Sequence, residues 1–452
     1  MQLPSALLTS LQDIKGYNQA AFEAIHTSAE QVTSIRINPL KIVNSQRPIV
    51  DGKPIHWCPY GYYLPERPFF TFDPIFHAGA YYVQEASSMF LWQILAKAIG
   101  TNTNGLKVLD LCAAPGGKST LLASYFKDGL VVSNDVIKSR ANILVENITK
   151  WGYDNVVVTN NDPSHFKMLE NYFDVIVIDA PCSGSGLFRR DNDAINEWSE
   201  NNVTLCSQRQ QRIVADVLPA LKQGGLLIYS TCSYSKQEDE DIVDWLIEEQ
   251  QLSTVNCQPS SNEGIVETQS DKHQGFGYRF YPHLIKGEGF FAAAFTKNKG
   301  SLFGNYKEQT LAKPSKQEEQ MVADFIGEQL DYSFFKQAEA IKLLPTKWWL
   351  DLQILAKCLY IKKAGIEIGT IKGKDVIPHH ELAVSILNLP QINTTELSEE
   401  EALQYLRRKD LTVATTKGWC APTYCGLRLG WMKVLPNRIN NYYPQEWRIL
   451  KE

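Results

Sequence analysis

Short apolar runs alternate with amphipathic stretches between residues 80 and 298. The apolar runs fall at positions 106–111, 130–133, 155–159, 174–178 and 225–229. Amphipathic stretches such as Ser139–Trp151 and Thr204–Leu221 lie between them. This alternation is typical of a parallel sheet whose strands are joined by crossover helices. The pattern therefore predicts an α/β core in this part of the chain.

The regions on either side of this core have a different pattern. Residues 1–75 are mixed, and Ser34–Asn38 alternates like a strand. The run Phe290–Phe295 predicts a late apolar strand, and polar residues 297–320 read as a linker. Residues 320–452 then form one or two small mixed domains, so the chain of 452 residues divides into two to four domains.

Composition narrows the class of protein. Charged residues make up 21% and apolar residues 44% of the chain, which favours a folded protein with a sizeable core. Nine cysteines without a regular spacing argue for a reducing compartment rather than a disulfide framework. We find no signal peptide and no apolar run near the roughly 18 residues that span a bilayer, so a cytoplasmic location is expected.

The net charge of −5 argues against a uniformly basic nucleic-acid binder, but the charge is unevenly distributed. Residues 401–452 contain nine Lys and Arg against four acids, a local charge of +5. Aromatic residues are interleaved with them, among them Trp419, Tyr424, Trp431, Tyr442 and Tyr443. Such a region can contact phosphates and stack on bases, or it can be a solvated basic face over an aromatic core. The sequence alone leaves both interpretations open.

The first segment that suggests chemistry is Val108-Leu-Asp-Leu-Cys-Ala-Ala-Pro-Gly-Gly-Lys-Ser119. It predicts a strand, a glycine-rich turn and a helix that begins near Ser119. Gly116 and Gly117 would let the backbone approach a ligand closely, and a helix N-terminus favours negative charge. A P-loop is excluded because Cys112 occupies its first glycine position, and the dinucleotide pattern is absent. A nucleoside ligand without a pyrophosphate remains, such as S-adenosylmethionine; the alternative is a structural tight turn.

Acidic residues end the next three predicted strands, at Asp135, Asp162 and Asp179. Asp135 could accept hydrogen bonds from both ribose hydroxyls, and Asp162 could accept one from an adenine amino group. Each acid taken alone is more often a turn residue or a helix cap. Their recurrence at successive strand ends favours one binding site.

Two cysteines also follow apolar strands. Asp179-Ala-Pro-Cys182 comes after residues 175–178, and Thr231-Cys232-Ser233 comes after residues 226–229. In a parallel sheet these strand ends would face one cleft. Thiolate addition at carbon 6 of a cytosine makes carbon 5 nucleophilic, which is covalent catalysis of methyl transfer. Asp179 could hydrogen-bond the ring N3 and the exocyclic amine, but chemistry alone does not decide which thiol attacks.

Taken together, these segments resemble the NOL1/NOP2/Sun family of RNA cytosine-5 methyltransferases. The matching segments are Asp110–Lys118, Asp179–Gly184, Ser230–Ser233, Tyr82-Val-Gln-Glu-Ala-Ser-Ser88 and Arg279-Phe-Tyr-Pro-His283. The resemblance implies a Rossmann-like class I methyltransferase core, with Cys232 as nucleophile and Cys182 assisting elimination and product release. It implies that S-adenosylmethionine contacts Asp135, Asp162, Asp179 and the turn residues Cys112, Ala113, Ala114, Pro115, Gly116, Gly117 and Lys118.

The C-terminal segments Leu429–Lys433 and Asn437–Pro444 resemble the PUA-like extension of family members that modify 16S ribosomal RNA. The resemblance implies 16S ribosomal RNA, alone or in the small subunit, as the substrate of a monomeric enzyme without membrane contact. The predicted domains are an α+β RNA-binding domain at 1–78, the catalytic domain at 79–298, a linker with a small domain at 299–355 and a PUA-like domain at 356–452. The same chemistry on 23S ribosomal RNA or transfer RNA is the alternative.

Other functional classes explain fewer of these features. A non-catalytic RNA-binding assembly factor would not need both cysteines and three strand-end acids. A protein methyltransferase needs no thiol pair, and a DNA enzyme would use Pro181-Cys182 but leave Cys232 unexplained. Cys420 and Cys425 lack a second Cys or His pair at ligand spacing, and adjacent His379 and His380 are poorly arranged for joint ligation, so no metal is expected.

Overall fold

The structure is a computed structural model that describes residues 3–28, 30–42, 51–191, 193–258 and 264–451. The N-terminal elements are α1 Ser5–Ser10, α2 Gln19–Thr27, β1 Ser34–Ile37, α3 Pro39–Ile42, β2 Lys53–Ile55, β3 Cys58–Tyr63, α4 Pro74–His77 and β4 Tyr81–Val83. The four strands form an antiparallel sheet in the order β2-β3-β1-β4. The terminal residues 1, 2 and 452 of the predicted outer domains lie outside the described residues.

The central region contains the predicted alternation of strands and helices. Its elements are α5 Leu91–Ala98, β5 Lys107–Asp110, α6 Gly117–Tyr125, β6 Leu130–Asn134, α7 Lys138–Trp151, β7 Val156–Thr159, β8 Phe173–Asp179, α8 Asp193–Glu197, α9 Glu200–Val217, β9 Leu221–Thr231, α10 Glu240–Glu248, β10 Leu252–Thr254, β11 Val266–Gln269, β12 Phe276–Phe280 and β13 Phe290–Lys297. The five predicted apolar runs are β5 to β9, and the late run Phe290–Phe295 lies in β13.

The C-terminal third contains two smaller sheets. Its elements are α11 Lys316–Ile326, β14 Tyr332–Gln337, β15 Ala340–Pro345, α12 Trp349–Cys358, β16 Ile361–Ala364, β17 Ile366–Lys372, β18 Asp375–Pro378, α13 His380–Val384, β19 Asn393–Glu396, α14 Glu399–Leu406, β20 Gly418–Tyr424, β21 Leu427–Arg428, β22 Met432–Leu435 and β23 Arg438–Asn441. The sheets have the orders β14-β15-β17-β18 and β19-β20-β22-β23, with β21 paired to β20.

The central sheet confirms the predicted α/β class. Five strands, in the order β9-β8-β5-β6-β7, are parallel. Antiparallel β13, β12 and β11 extend the sheet beyond β9, and β10 pairs with β13. At the opposite edge β16 adds an antiparallel strand next to β7, which the sequence pattern did not predict.

The order of the strands positions the site. From β5 the chain proceeds outward through β6 and β7, then returns to the other side of β5 to form β8 and β9. The order therefore reverses between β5 and β8, and ligands of such sheets bind at the carboxyl ends of the strands beside the reversal.

Apolar side chains cover both faces of the central sheet. Successive residues of β5 alternate between them, so Val108 packs in one core cluster and Leu109 in the other, and both are fully buried. Burial of each such side chain contributes about 1.5–3 kcal/mol. None of the helices in the described ranges is long and apolar enough to cross a membrane.

Candidate active site

The carboxyl ends of β8 and β9 bring the two predicted cysteines together. Cys182 lies just beyond β8 and Cys232 just beyond β9, and their Sγ atoms are 3.0 Å apart. Both are reduced and half-buried. The pKa of Cys182 is raised well above its usual value, first by the hydrogen bond with Cys232 and then by burial. Cys182 is therefore held as a neutral thiol against its neighbour.

Asp179, at the end of β8, is fixed beside this pair. One carboxylate oxygen accepts a hydrogen bond from Ser230 Oγ at 2.8 Å. The other lies 2.8 Å from Nζ of Lys118, in the first turn of α6. The side chain of Asp179 is 38% exposed, so a carboxylate of fixed orientation is accessible from solvent.

The predicted cofactor residues 112–118 lie in the turn after β5 and at the beginning of α6. Gly116 has φ +118°, a left-handed conformation that strongly favours glycine, and α6 begins at Gly117 rather than near Ser119. Burial raises the pKa of the Cys112 thiol above its usual value, so this cysteine does not act as a thiolate. The turn thus leads directly into the N-terminus of a nine-residue helix.

Two residues that sequence reasoning missed hold this turn in place. Arg140 Nη2 donates to Ala114 O at 2.6 Å, and Asn147 Nδ2 donates to Pro115 O at 2.8 Å. Both side chains come from α7. In the sequence they belong to an amphipathic stretch, where polar residues usually indicate a solvated helix face.

The other two predicted acids take different positions. Asp135 is 2% exposed, and its oxygens accept hydrogen bonds from Ile137 N at 2.9 Å and Ala114 N at 3.3 Å. It therefore holds the glycine-rich turn in place through Ala114 N. Asp162 is exposed and caps the following 3₁₀ helix through Ser164, whose hydrogen bonds lower the pKa of Asp162 below its usual value.

Glu238 is a further residue beside the cysteines that the sequence did not suggest. It is fully buried and hydrogen-bonds to Ser183 and Ser233, which directly follow Cys182 and Cys232. Burial raises the pKa of this carboxyl.

The basic C-terminal segment is partly core and partly surface. Trp431 and Tyr443 are fully buried and Tyr424 is 9% exposed, whereas Tyr442 is exposed. Arg428 is also withdrawn from solvent, because it donates to the backbone oxygens of Ala383, Ser385 and Leu387. The exposed cations of this segment are Arg408, Lys409, Lys417, Arg438 and Lys451. The segment thus has an aromatic core and a basic surface, and contact of that surface with phosphates stays a prediction.

One cluster among the described residues has metal-ligand composition: Glu367, His379 and Glu381. Lys342 Nζ lies 3.0 Å from Glu367, and Lys363 forms an ion pair with Glu381. Both carboxylates are therefore already paired with cations, and we assign no metal to the cluster.

Family models match three parts of the chain. The model for 16S rRNA methyltransferase RsmB/F matches residues 98–296. The model for the N-terminal domain of 16S rRNA methyltransferase RsmF matches residues 3–86, and that for the methyltransferase RsmF PUA domain matches residues 392–449. The matches cover the N-terminal sheet, the last sheet, and the central sheet except β16 and the last residue of β13.

Curated relatives match over nearly the whole chain. The chain is 30% identical to ribosomal RNA small subunit methyltransferase F of Shewanella piezotolerans over 444 residues, which cover 91% of this chain and 90% of the relative. It is 29% identical to the protein of the same name from Aliivibrio fischeri, with 98% of this chain and 97% of the relative covered.

Solved structures share the fold. A methyltransferase homolog protein from Pyrococcus horikoshii is 27% identical, with a TM-score of 0.51 and coverage of 65% of this chain and all of that one. NSun6 from the same organism, solved with SFG, is 19% identical, with a TM-score of 0.53 and coverage of 65% and 97%. The second likeness is one of fold alone.

Proposed function

The chain belongs to the ribosomal RNA small subunit methyltransferase F family, and from this membership we propose that it methylates carbon 5 of a cytosine in 16S ribosomal RNA. The methyl donor is S-adenosylmethionine. The observation that carries the proposal is the thiol pair at the ends of β8 and β9, with Sγ atoms 3.0 Å apart beside the carboxylate of Asp179. Protein and amine methylation require no such pair.

The residues around the glycine-rich turn fit the donor. S-adenosylmethionine is a nucleoside with a positive sulfonium that supplies an electrophilic methyl group. Residues 112–118 would hold it against the turn, while the anionic Asp179 faces the same cleft. Asp135 would act at the ribose end, and Asp162 near the adenine. Because Asp135 also binds Ala114 N and Ile137 N, its contribution includes the shape of the turn.

The protein residues divide the chemical work as follows. Cys232 would lose its proton to a base and add as a thiolate to carbon 6 of the cytosine. The ring electrons would then move to carbon 5, which takes the methyl group from the sulfonium and leaves a neutral thioether. Asp179 would accept hydrogen bonds from the exocyclic amine and, once N3 has taken up a proton, from N3–H, and so stabilise the adduct. A base then removes the carbon-5 proton, the double bond re-forms and Cys232 departs, assisted by Cys182. The covalent adduct splits one hard step into easier ones.

Ribosomal RNA is the partner. We extend the proposal to a monomeric cytoplasmic enzyme with the RNA-binding, catalytic, linker and PUA-like regions divided at 1–78, 79–298, 299–355 and 356–452. Strand β16 would then be a contribution of the last region to the central sheet. Assays on naked 16S RNA and on assembled small subunits decide the form of the substrate.

Single and double cysteine variants test the mechanism. Cys232→Ala should transfer no methyl group and form no RNA adduct. Cys182→Ala should accept attack by Cys232 but release product poorly, so an RNA–protein adduct should survive denaturing gels. The adduct should vanish in the Cys182→Ala/Cys232→Ala double variant.

Three other outcomes would contradict the proposal. Adducts in Cys232→Ala alone would reverse the roles of the two thiols. Methylation that persists in both single variants would exclude the covalent route. If the wild-type protein methylates 23S RNA or transfer RNA but not 16S RNA, its substrate is another RNA. If it methylates no RNA, a non-catalytic RNA-binding factor is favoured.

A further inference from the structure

A buried carboxylate ties the two cysteine loops to each other. Glu238 lies in the short 3₁₀ helix that precedes α10, and its side chain is fully buried. We propose that Glu238 is a positioning residue that sets the separation of Cys182 and Cys232 by binding both loops at once. The inference rests on the proposed function, because it concerns the same pair of thiols.

Both oxygens of Glu238 are engaged. Oε1 accepts from Ser183 N at 2.8 Å and from Gln210 Nε2 at 3.2 Å. Oε2 accepts from the hydroxyls of Ser183 and Ser233, each at 2.6 Å. Hydrogen bonds to a charged acceptor are shorter and about twice as strong as neutral ones. None of the salt bridges formed within the described ranges involves Glu238, so neutral donors alone hold it.

These contacts reach one residue beyond each thiol. Ser183 is bonded to Cys182 and Ser233 to Cys232, so one side chain spans the gap between two loops that are 50 residues apart. Gln210 extends the tie, because its Nε2 also donates to Pro181 O at 3.1 Å. The position of Glu238 therefore limits how far the loops can separate.

Glu238 is itself fixed to the end of β9. Its backbone oxygen accepts from Tyr229 Oη at 2.7 Å, and the adjacent Asp239 accepts from Thr231 Oγ1 at 2.7 Å. These two hydrogen bonds hold the 3₁₀ helix against the end of β9, directly before Cys232. A carboxylate on a fixed element is what a positioning role requires.

The isosteric variant separates position from charge. In Glu238→Gln the amide oxygen can still accept from Ser183 N and Gln210, and the amide nitrogen can donate to the serine hydroxyls, which rotate to accept. Glu238→Ala removes all four hydrogen bonds that the carboxylate accepts and leaves the direct contacts between the loops, such as Gly186 N to Cys232 O at 2.8 Å, in place. A purely electrostatic role would make the two variants alike, whereas a positioning role predicts that Gln restores function.

Kinetics with S-adenosylmethionine and 16S RNA give the first test. In Glu238→Ala we expect kcat to fall about 100-fold, the effect of a displacement of roughly 1 Å in an active site, with little change in the KM for S-adenosylmethionine. Glu238→Gln should recover most of kcat. Asp244→Ala is the matched control, because Asp244 in α10 also holds a loop through backbone N–H groups, at Lys272 and His273, away from both cysteine loops.

Disulfide formation gives a second test that does not depend on methyl transfer. Diamide takes one hydrogen from each thiol and is reduced to the hydrazine as the Cys182–Cys232 bond forms. Peptide mass spectrometry can follow the rate of this bond in each variant. It should be slower in Glu238→Ala than in the wild type, and unchanged in Glu238→Gln and Asp244→Ala.

The outcomes are distinguishable. Wild-type kcat and wild-type disulfide rate in Glu238→Ala would overturn the positioning role, as would equal losses in Ala and Gln. If the wild-type protein methylates no RNA but its rate of disulfide formation still depends on Glu238, the proposed function is wrong and the positioning role of Glu238 stands. If Glu238→Ala does not fold, Ser233→Ala replaces it, because of the hydrogen bonds to the carboxylate this variant removes only the one from the Ser233 hydroxyl. It must lower kcat and slow disulfide formation.

Discussion

Asp110 shows how a single buried acid can impose a pH dependence on the core of the site. It is fully buried at the end of β5; one oxygen accepts from Ser119 Oγ at 2.6 Å and the other has no hydrogen-bond partner. Burial raises the pKa of Asp110 to about 7. The folded protein therefore favours the protonated acid.

The variant Asp110→Asn tests this property. In the unfolded chain an aspartic acid ionises near pH 4, whereas Asp110 in the folded protein resists ionisation up to about pH 7. The free energy of unfolding of the wild type therefore falls relative to that of Asp110→Asn between about pH 4 and pH 7. Above about pH 7 the difference in unfolding free energy between the two proteins is constant. Thermal unfolding of both proteins at pH 5 and pH 8 measures the effect. The advantage in Tm of Asp110→Asn should be larger at pH 8, and a pH-independent difference would contradict the assigned cause.

Residues that perform chemistry were easier to predict than residues that hold them. Cys182, Cys232 and Asp179 are recognisable because each follows an apolar strand, and the structure places them together. Glu238 belongs to the run Lys236–Asp241, whose composition is typical of a solvated face. Yet Glu238, Asp239 and Glu240 are at most 4% exposed, because partners from distant parts of the chain surround them. One such partner is Arg279, which pairs with both Asp239 and Glu240. The local sequence pattern does not indicate such partners, because they come from distant parts of the chain.

At the scale of elements, the turn after β8 packs backbone to backbone against the loop after β9. Gly186 N donates to Cys232 O at 2.8 Å, and Gly186 O accepts from Gly289 N at 3.3 Å. A Cβ atom at Gly186 would lie 2.7 Å from Cys232 O and 2.6 Å from Gly289 O. Glycine is required here for close approach.

Gly186→Ala should therefore displace the Cys232 loop and lower methyl transfer by at least about tenfold, with cofactor affinity retained. Gly184→Ala is the control in the same turn. It strains a backbone with φ +78°, but its Cβ would meet no atom within 4 Å. Single-turnover methylation and calorimetry with S-adenosylmethionine measure the two quantities. Equal losses in both variants would indicate backbone strain rather than displacement of the loop.

The parallel strands were predictable and the edge strand was not. Strands β5 to β9 are continuous apolar runs because helices or loops cover both of their faces. Strand β16 reads Ile-Lys-Lys-Ala and pairs with β7 across about 200 residues of chain. A four-residue segment with two lysines gives no periodic signal, so the sequence does not predict a strand here. Its pairing partner, β7, comes next to it only in the folded sheet.

For the whole molecule, the exposed cations near the C-terminus form a surface suited to RNA. Residues Arg408–Leu411 and Ile439–Pro444 line a groove of about 540 Å³, which Tyr442 borders with an exposed ring. Lys409 lies in this groove and Arg438 directly precedes one of its lining segments. Aromatic and cationic groups together favour single-stranded RNA.

Lys409→Ala/Arg438→Ala should weaken RNA binding uniformly across sequences and lower the slope of log affinity against log salt by about 2. Binding of S-adenosylmethionine should be unchanged. Lys374→Ala, an exposed lysine in the turn between β17 and β18, is the control. Filter binding over a range of salt concentrations measures the slope. If the RNA-binding curves of the double variant coincide with those of the wild type, the groove does not bind RNA through these two residues.

One apolar cluster joins the two extremes of the chain. It packs Ile35, Ile75 and Tyr81 of the N-terminal region against residues of the last sheet and its helix, including Leu406 and Leu429. During translation the N-terminal residues leave the ribosome first, and they cannot complete this core until residues 397–449 have been made. At about 5–20 residues per second, the interval is roughly 20–70 s. The nascent N-terminal region therefore exposes apolar surface while most of the remaining chain is synthesised, the period in which a chaperone would be needed.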